Sequence, residues 1–211
     1  MDGLESEKSL SGILAEADDD DVLQIISESK YYKLTNLNTL SEYMKSEKTL
    51  SLFNSNARSL AKHESQFQAL FKSIHNSGIC FDVITFCETW LDDSLSQTIS
   101  FENYVPIYRH KRSVKRGGGL AAFLKQGLEH TVRQDLSFNE EIADKFDGLF
   151  IELNQMNIII CIIYRSPSFN SIKELSKSLI ERINTIKREN KKIIIAGDLN
   201  IDLLKYSSHH N

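Results

Sequence analysis

Cysteine, proline and long apolar runs are all scarce in this sequence. With only 2 prolines in 211 residues, a proline-rich linker is excluded. The 3 cysteines lack CxxC or other metal-ligand spacing, and each lies in or beside an apolar run, so reduced packing thiols are expected. No apolar run approaches the roughly 20 residues of a membrane span. The acidic N-terminus lacks the features of a signal peptide, so the sequence predicts a cytoplasmic or nuclear protein without membrane association.

The composition predicts one globular domain preceded by an acidic segment. Hydrophobic residues make up 41% of the chain, charged residues 26%, and the net charge is -4, as in ordinary globular proteins. Acidic residues concentrate before position 48, so 1–30 is predicted to be a disordered acidic tail and 31–48 a helical lead-in. Residues 49–211 form the predicted domain. Its mildly basic character permits a polyanionic partner.

Strand and helix patterns alternate from Thr49 onward. Apolar runs predict strands at 50–53, 81–86, 119–124, 149–153, 158–163 and 193–196, and helical spacing predicts helices around 67–74 and 172–186. Residues 154–157 suit the turn of a hairpin. Because hairpins accompany the alternating elements, a mixed α/β sandwich is favoured over a purely parallel sheet. The last strand shows no alternation, so it is predicted to be buried on both faces.

Asp198 and Asn200 follow this last strand with one residue between them. In an extended chain that spacing points both side chains to the same side. A carboxylate and an amide are then delivered together at the carboxyl end of a strand, where α/β proteins commonly place their chemistry. The alternative is an ordinary Gly-Asp turn that closes the strand.

Four further polar residues follow apolar strands. Glu88 directly follows the run at 81–87, where a carboxylate suits a hard cation such as Mg²⁺; the alternative is a helix-cap or surface carboxylate. Tyr164 and Arg165 end the longest β-branched run and could contact a phosphate. Their alternative is an interface tyrosine beside a solvated arginine. Asn56 taken alone is most simply a turn residue.

Five motifs occur in a fixed order along the chain. They are NARSL at 56–60, CETWL at 87–91, RGGGLAAFL at 116–124, YRSPS at 164–168 and AGDLN at 196–200. In this order they resemble the endonuclease/exonuclease/phosphatase superfamily, which includes deoxyribonuclease I and the apurinic endonucleases. The residues of these motifs are most similar to those of the endonuclease domain of LINE-type, non-LTR retrotransposons. Each motif is weak alone, but five in order make a strong signal.

The resemblance implies a two-sheet α/β sandwich that hydrolyses phosphodiester bonds of DNA with Mg²⁺ or Mn²⁺. By motif, Glu88 would be the principal metal ligand, and Asn56 would support the metal and the phosphate. Tyr164 would contact the phosphate. Asp198 would orient and deprotonate the attacking water, and Asn200 would stabilise the charge that gathers on the phosphoryl oxygens.

A basic segment, RHKRSVKR at 109–116, leads into the glycine triplet at 117–119. Under the same resemblance it would be a surface for the phosphate backbone, and the glycines would allow close approach. The residues expected to bind nucleic acid are Arg109, Lys111, Arg112, Lys115, Arg116 and, from the YRSPS motif, Arg165. The alternative for this segment is a solvated basic loop.

Two departures from the family pattern stand out. Family members continue with an Asp after the GDxN segment and a terminal Ser-Asp-His, whereas only residues 201–211 follow Asn200 here. His209 and His210 lack the preceding Ser-Asp and are predicted to be loop residues. We therefore expect a C-terminally truncated domain with weak or absent catalysis. Apurinic endonucleases carry an acidic residue where this chain has Arg58, which argues against abasic-site repair.

Two rival functions remain open on the sequence alone. The superfamily also contains phosphatases and phospholipid phosphodiesterases, although the RGGG and YRSP wording favours nucleic acid. A non-catalytic remnant that binds nucleic acid or protein is the second rival. Binding that weakens steeply with salt but ignores Mg²⁺ and Glu88 would favour it. The sequence does not indicate an oligomeric state.

Overall fold

Two four-stranded sheets make up the fold, as seen in a computed structural model that describes residues 37, 40–42, 50–92, 99–109, 117–138, 145–169 and 171–201. Sheet A, in the order β1-β2-β4-β3, contains β1 Leu52–Asn56, β2 Val83–Cys87, β3 Tyr104–Arg109 and β4 Leu120–Lys125. Sheet B, in the order β5-β6-β7-β8, contains β5 His130–Val132, β6 Phe146–Leu153, β7 Ile158–Arg165 and β8 Lys192–Asp198. Helix α1 spans Leu60–Asn76 and α2 spans Ile172–Arg188. The predicted two-sheet α/β sandwich is confirmed.

Parallel strands pair at one side of each sheet. β1 runs parallel to β2, and β7 runs parallel to β8, whereas the other neighbours are antiparallel. β1 and β8 are the outer strands of their sheets among the described residues, and they contact each other across the sandwich. The carboxyl ends of both parallel pairs, β1 with β2 and β7 with β8, therefore meet at one end of the molecule.

Apolar side chains fill three layers. Between the sheets, aliphatic residues of β2 and β4 pack against those of β6 and β7. The outer face of sheet A packs against α1, where Phe67 and Phe71 contact Phe86. The outer face of sheet B packs against Leu175, Leu179 and Ile186 of α2. The burial of both faces of the central strands explains their continuous apolar runs.

Local sequence signals mark the end of α1 and the beginning of α2. α1 ends at Asn76, and Gly78 follows in the left-handed region with φ 78°, as the Asn-Ser-Gly stop predicts. α2 begins after Ser171, whose hydroxyl accepts a hydrogen bond from the Glu174 backbone N–H at 3.3 Å. Glu174 is also an acidic residue in the first turn, where the helix dipole favours negative charge.

Three strand predictions need correction. β8 is not buried on both faces: Ile195 is 40% exposed, because β8 has a neighbour on only one side among the described residues. β3 was missed because Pro106 interrupts its pattern. Proline is tolerated there since β3 is an outer strand of sheet A in the described part of the chain. β5 has only three residues, too few for a periodic signal.

Other predictions fall on residues that the structure describes only in part. The acidic tail at 1–30 lies outside the described residues. In the lead-in, Leu37 and 40–42 are helical, Leu37 packs with Ile74 and Ile79, and Ser41 Oγ donates to the Gly78 carbonyl at 3.2 Å. No helix among the described residues has the length and apolarity needed to cross a membrane.

Candidate active site

Four side chains predicted from the strand ends meet where the parallel strand pairs terminate. Asn56 is the last residue of β1, and Glu88 follows directly after β2. Asp198 is the last residue of β8, and its register partner is Tyr164 of β7. Each sheet thus contributes two residues, and the site lies between the two sheets.

The Asn56 amide joins two carboxylates that belong to different sheets. Its Nδ2 donates to Glu88 Oε1 at 3.0 Å and to Asp198 Oδ2 at 2.7 Å. Its Oδ1 accepts the backbone N–H of Arg58 at 3.1 Å. One amide therefore holds the two carboxylates near each other and offsets part of their repulsion. Asn56 is not the turn residue that it resembles in isolation.

Tyr164 supplies a phenol that stays protonated. The side chain is 7% exposed, and burial raises its pKa to about 12, with the neighbouring carboxylates of Glu88 and Asp198 adding to the effect. A buried, neutral phenol is a hydrogen-bond donor across the physiological pH range. A Cβ added to Gly117 would lie 3.9 Å from the Tyr164 hydroxyl, so the glycine triplet passes beside the site.

The chain turns immediately after Asp198. Asn200 has φ 49°, and its backbone N–H donates to Asp198 Oδ1 at 3.0 Å. Its side-chain Nδ2 donates to the Arg165 carbonyl at 2.7 Å. Both Asp198 oxygens therefore accept a hydrogen bond. The expectation that Asp198 and Asn200 lie in extended chain and point to the same side is wrong, because β8 ends at Asp198.

Backbone hydrogen bonds tie together the loops that carry these side chains. Ala57 N–H donates to the Cys87 carbonyl at 2.8 Å, and Ser59 N–H donates to the Glu88 carbonyl at 2.9 Å. Thr89 N–H donates to the Gly119 carbonyl at 3.2 Å. Glu88 itself has φ 50°, a conformation that non-glycine residues adopt rarely and at functional sites. Sequence patterns give no signal for this strain.

Arg165, which was predicted to bind nucleic acid, is buried and bonded to backbone carbonyls. The residue is 6% exposed, and its guanidinium donates to the backbone carbonyls of Leu199, Phe169 and Asn200. Three of the five guanidinium N–H groups are therefore engaged by carbonyls of the chain itself. Arg165 instead holds the turn after β8, and it is also not the solvated arginine of the alternative interpretation.

Arg109 also needs correction, because it ends β3 and points between the sheets. Its Nε donates to Asp147 Oδ1 at 2.5 Å, and its side chain is 11% exposed. Asp147 is buried in β6, where it pairs in register with Tyr164. The structure gives Arg109 a buried ion pair in place of the predicted phosphate contact. The acidic residue at the start of the apolar β6, Asp147, is the signal that sequence reasoning missed.

The other residues of the basic segment, Lys111, Arg112, Lys115 and Arg116, lie outside the described residues, and their role in nucleic-acid binding stays a prediction.

A comparison with family models bears on this arrangement. The sequence matches the model described as "Endonuclease/Exonuclease/phosphatase family" over residues 36–210. The chain belongs to this family. No curated protein matches the chain.

Solved structures of the endonuclease/exonuclease/phosphatase fold are similar at low identity. The AP endonuclease LMAP from Leishmania major has 15% identity and a TM-score of 0.52, over 98% of this chain and 67% of that one. An AP endonuclease from Archaeoglobus fulgidus has 15% identity and a TM-score of 0.48, over 72% of this chain and 58% of that one. The NExo exonuclease from Neisseria meningitidis has 15% identity and a TM-score of 0.49, over 72% of this chain and 58% of that one. This chain therefore spans less than two thirds of the archaeal and bacterial proteins.

The site's oxygen ligands fit the divalent cation that the family resemblance implies. Mg²⁺ is commonly held by one or two carboxylates together with waters and substrate phosphate. Glu88 and Asp198 supply two carboxylates, and Asn56 supplies an amide. Among the described residues there is no cluster of three or more His, Cys, Asp and Glu that could hold a metal. Two carboxylates and an amide would leave coordination positions on such a cation for water and phosphate.

Tyr164→Phe is expected to reduce the loss of stability at alkaline pH. Because the folded pKa of Tyr164 is raised from 10.0 to about 12, its stabilising contribution is complete below pH 10 and is lost as the pH rises to about 12. Removing the phenolic hydroxyl should reduce that loss of unfolding free energy by about 2 kcal/mol. Urea unfolding of both proteins across this pH range measures it. An equal alkaline loss in both would contradict the role of burial at Tyr164.

Proposed function

We propose that this family member hydrolyses phosphodiester bonds of DNA with Mg²⁺ or Mn²⁺, as an endonuclease of the retrotransposon type. The observation that carries this proposal is the Asn56 amide, which joins the Glu88 and Asp198 carboxylates where the strands of both sheets end. Two carboxylates, an amide and a buried phenol at one point supply metal ligation, a base and a hydrogen-bond donor.

Each residue then has a distinct role. Glu88 would hold the cation, which when bound neutralises phosphate charge and polarises the ester. Asn56 would support the metal by orienting the Glu88 carboxylate through its Nδ2. Asp198 accepts the proton of the attacking water, and its carboxylate is oriented by Asn56 Nδ2 and by the Asn200 N–H. Tyr164 donates its phenolic hydrogen to a phosphate oxygen. Asn200 would add its amide once the bond to the Arg165 carbonyl opens.

DNA is favoured as the substrate by the basic residues within 110–116 and by the residues of the five motifs. The similar Leishmania major protein LMAP is an AP endonuclease. Arg58 stands where apurinic endonucleases carry an acidic residue, so we place the chain with the retrotransposon branch and not with abasic-site repair. A DNA substrate agrees with the predicted cytoplasmic or nuclear location.

A substrate panel tests the proposal. The purified chain is incubated with supercoiled plasmid, a phosphate monoester and a phosphoinositide, each with Mg²⁺ and with EDTA. We expect plasmid nicking in Mg²⁺ and none in EDTA, with a preference for plasmid of at least about tenfold over the other substrates. Faster hydrolysis of the monoester or the lipid would instead establish the phosphatase or phospholipid alternative.

A second candidate function is DNA binding without turnover. Three histidines lie in the described ranges: His63 hydrogen-bonds with Gln66, His130 hydrogen-bonds with the Leu128 carbonyl, and His75 lies in the last turn of α1. None of the three hydrogen-bonds with a site residue. A site to which no histidine contributes would stabilise charge on the leaving group poorly, and its turnover would be slow. Salt-sensitive plasmid binding without nicking, unaffected by Mg²⁺, would establish this candidate.

A further inference from the structure

Arg58 lies at the mouth of the site without a described function. Its backbone N–H donates to Asn56 Oδ1 at 3.1 Å, and the next residue, Ser59, donates to the Glu88 carbonyl at 2.9 Å. The side chain is exposed, whereas its neighbours Ala57 and Leu60 are buried. The backbone at Arg58 is therefore fixed to Asn56, and the backbone at Ser59 is fixed to the Glu88 loop. The Arg58 side chain is exposed to solvent.

The backbone conformation at this position is unfavourable for an arginine. Arg58 has φ 43° and Ser59 has φ 88°, so two consecutive residues with a Cβ lie in the left-handed region. Glycine or asparagine adopts this region more readily. Strained backbone of this kind persists where the surroundings enforce it, and it clusters at ligand-binding sites. The two hydrogen bonds to Asn56 and Glu88 supply that enforcement here.

The exposed guanidinium of Arg58 also differs from the less exposed guanidinium groups of Arg109, Arg133 and Arg165. Arg109, Arg133 and Arg165 each donate to carboxylates or carbonyls. Within the described residues, Arg58 has no side-chain hydrogen bond or ion pair. An arginine presents a planar set of donors that matches phosphate oxygens. A free set of this kind next to two carboxylates is suited to an anionic ligand and not to holding the fold together.

The start of α1 adds positive potential at the same place. The helix begins at Leu60, has no acidic residue in its first turn and carries Lys62 there. The partial positive charge of a helix N-terminus therefore remains uncompensated by a carboxylate. This charge would reinforce attraction of a polyanion by Arg58.

We propose that Arg58 is a substrate-contacting residue that binds a backbone phosphate of DNA at the mouth of the site. The inference rests on the proposed function, because it assumes a polyanionic substrate at Asn56, Glu88 and Asp198. The contact is to a phosphate and not to a base, so it strengthens binding to any sequence equally.

The test is DNA binding as a function of salt. Fluorescence anisotropy with a short labelled DNA duplex in EDTA compares Arg58→Gln, Arg58→Asn and Arg58→Lys with the wild type. Arg58→Asn suits the left-handed backbone, and thermal unfolding checks the fold of each variant. The matched control is Lys177→Gln, which removes an exposed cation from α2 on the opposite outer layer.

We expect both neutral variants to lower the slope of log affinity against log salt by about 1 and to weaken binding roughly fivefold to tenfold. Arg58→Lys should keep the slope, and Lys177→Gln should leave slope and affinity unchanged. Equal slopes for the wild type and both neutral variants would overturn the inference, as would an equal loss in Arg58→Lys. Failure of the wild type to bind DNA would overturn both proposals. Salt-dependent binding through Arg58 without Mg²⁺-dependent cleavage would overturn only the catalytic proposal.

Discussion

Glu88→Gln is expected to lower the rate of Mg²⁺-dependent DNA cleavage about a thousandfold. Glutamine has the same shape and keeps an oxygen that can accept from Asn56 Nδ2, which lies 3.0 Å from Glu88 Oε1. The substitution therefore removes one negative charge and little else. That charge would hold the cation, so its loss removes metal activation while the fold is retained. Single-turnover nicking of supercoiled plasmid measures the rate.

A second measurement separates metal binding from chemistry. Titration calorimetry with Mn²⁺ should show weaker binding to Glu88→Gln than to the wild type, by roughly tenfold to a hundredfold. Glu102→Gln removes an exposed carboxylate from the turn before β3 and serves as the control. Its nicking rate and Mn²⁺ affinity should match those of the wild type. A Glu88→Gln protein that cleaves at the wild-type rate would exclude Glu88 as the metal ligand.

Gly197→Ala is expected to cost at least about 3 kcal/mol of unfolding free energy. Gly197 has φ 137°, and a Cβ there would lie 1.9 Å from the Ile163 carbonyl oxygen and 2.8 Å from the Ile163 carbonyl carbon and nitrogen. These are backbone atoms of the neighbouring strand, so the clash cannot be relieved by a side-chain rotation. β8 would have to separate from β7, and Asp198 would move away from Asn56.

Gly127→Ala provides a matched control for this prediction. Gly127 also has a left-handed backbone, with φ 87°, but a Cβ there meets nothing within 4 Å. This substitution should cost about 1 kcal/mol from backbone strain alone. Guanidinium unfolding of the two variants isolates the clash from the strain. If both variants lose the same stability, close approach of β8 to β7 is not what requires glycine at 197.

Sequence reasoning predicted most of the sheet elements because burial in a two-sheet sandwich leaves long apolar runs. The hairpin around 154–157 and the helix ending at Ser77-Gly78 follow from local rules alone. β3 could not be recognised because a proline normally argues against a strand. Pro106 is tolerated since β3 is an outer strand of sheet A in the described part of the chain, and this position depends on the tertiary structure. The exposure of β8 depends on which strands lie beside it, and periodicity within one strand carries no information about that.

The site was predictable only as a set of strand ends. The rule that functional residues follow buried strands selected Asn56, Glu88, Tyr164 and Asp198, which the fold brings together. The rule could not predict which hydrogen-bond or ion-pair partners each side chain has. Arg165 and Arg109 look like solvated cations along the chain, and their burial depends on carbonyls and a carboxylate that arrive from other elements. The left-handed backbone of Arg58 likewise depends on hydrogen bonds from distant loops.

The connection between Asn56 and Asp198 spans 142 positions of the chain. A ribosome that adds about 5–20 residues per second would complete β8 on the order of 10 s after β1. Asn56 is made first, Glu88 follows 32 positions later, and Asp198 is the last of the four site residues to be made. A nascent chain that ends before β8 therefore lacks the carboxylate that we propose as the base. Under the proposed function, cleavage would begin only after β8 has been made and has paired with β7.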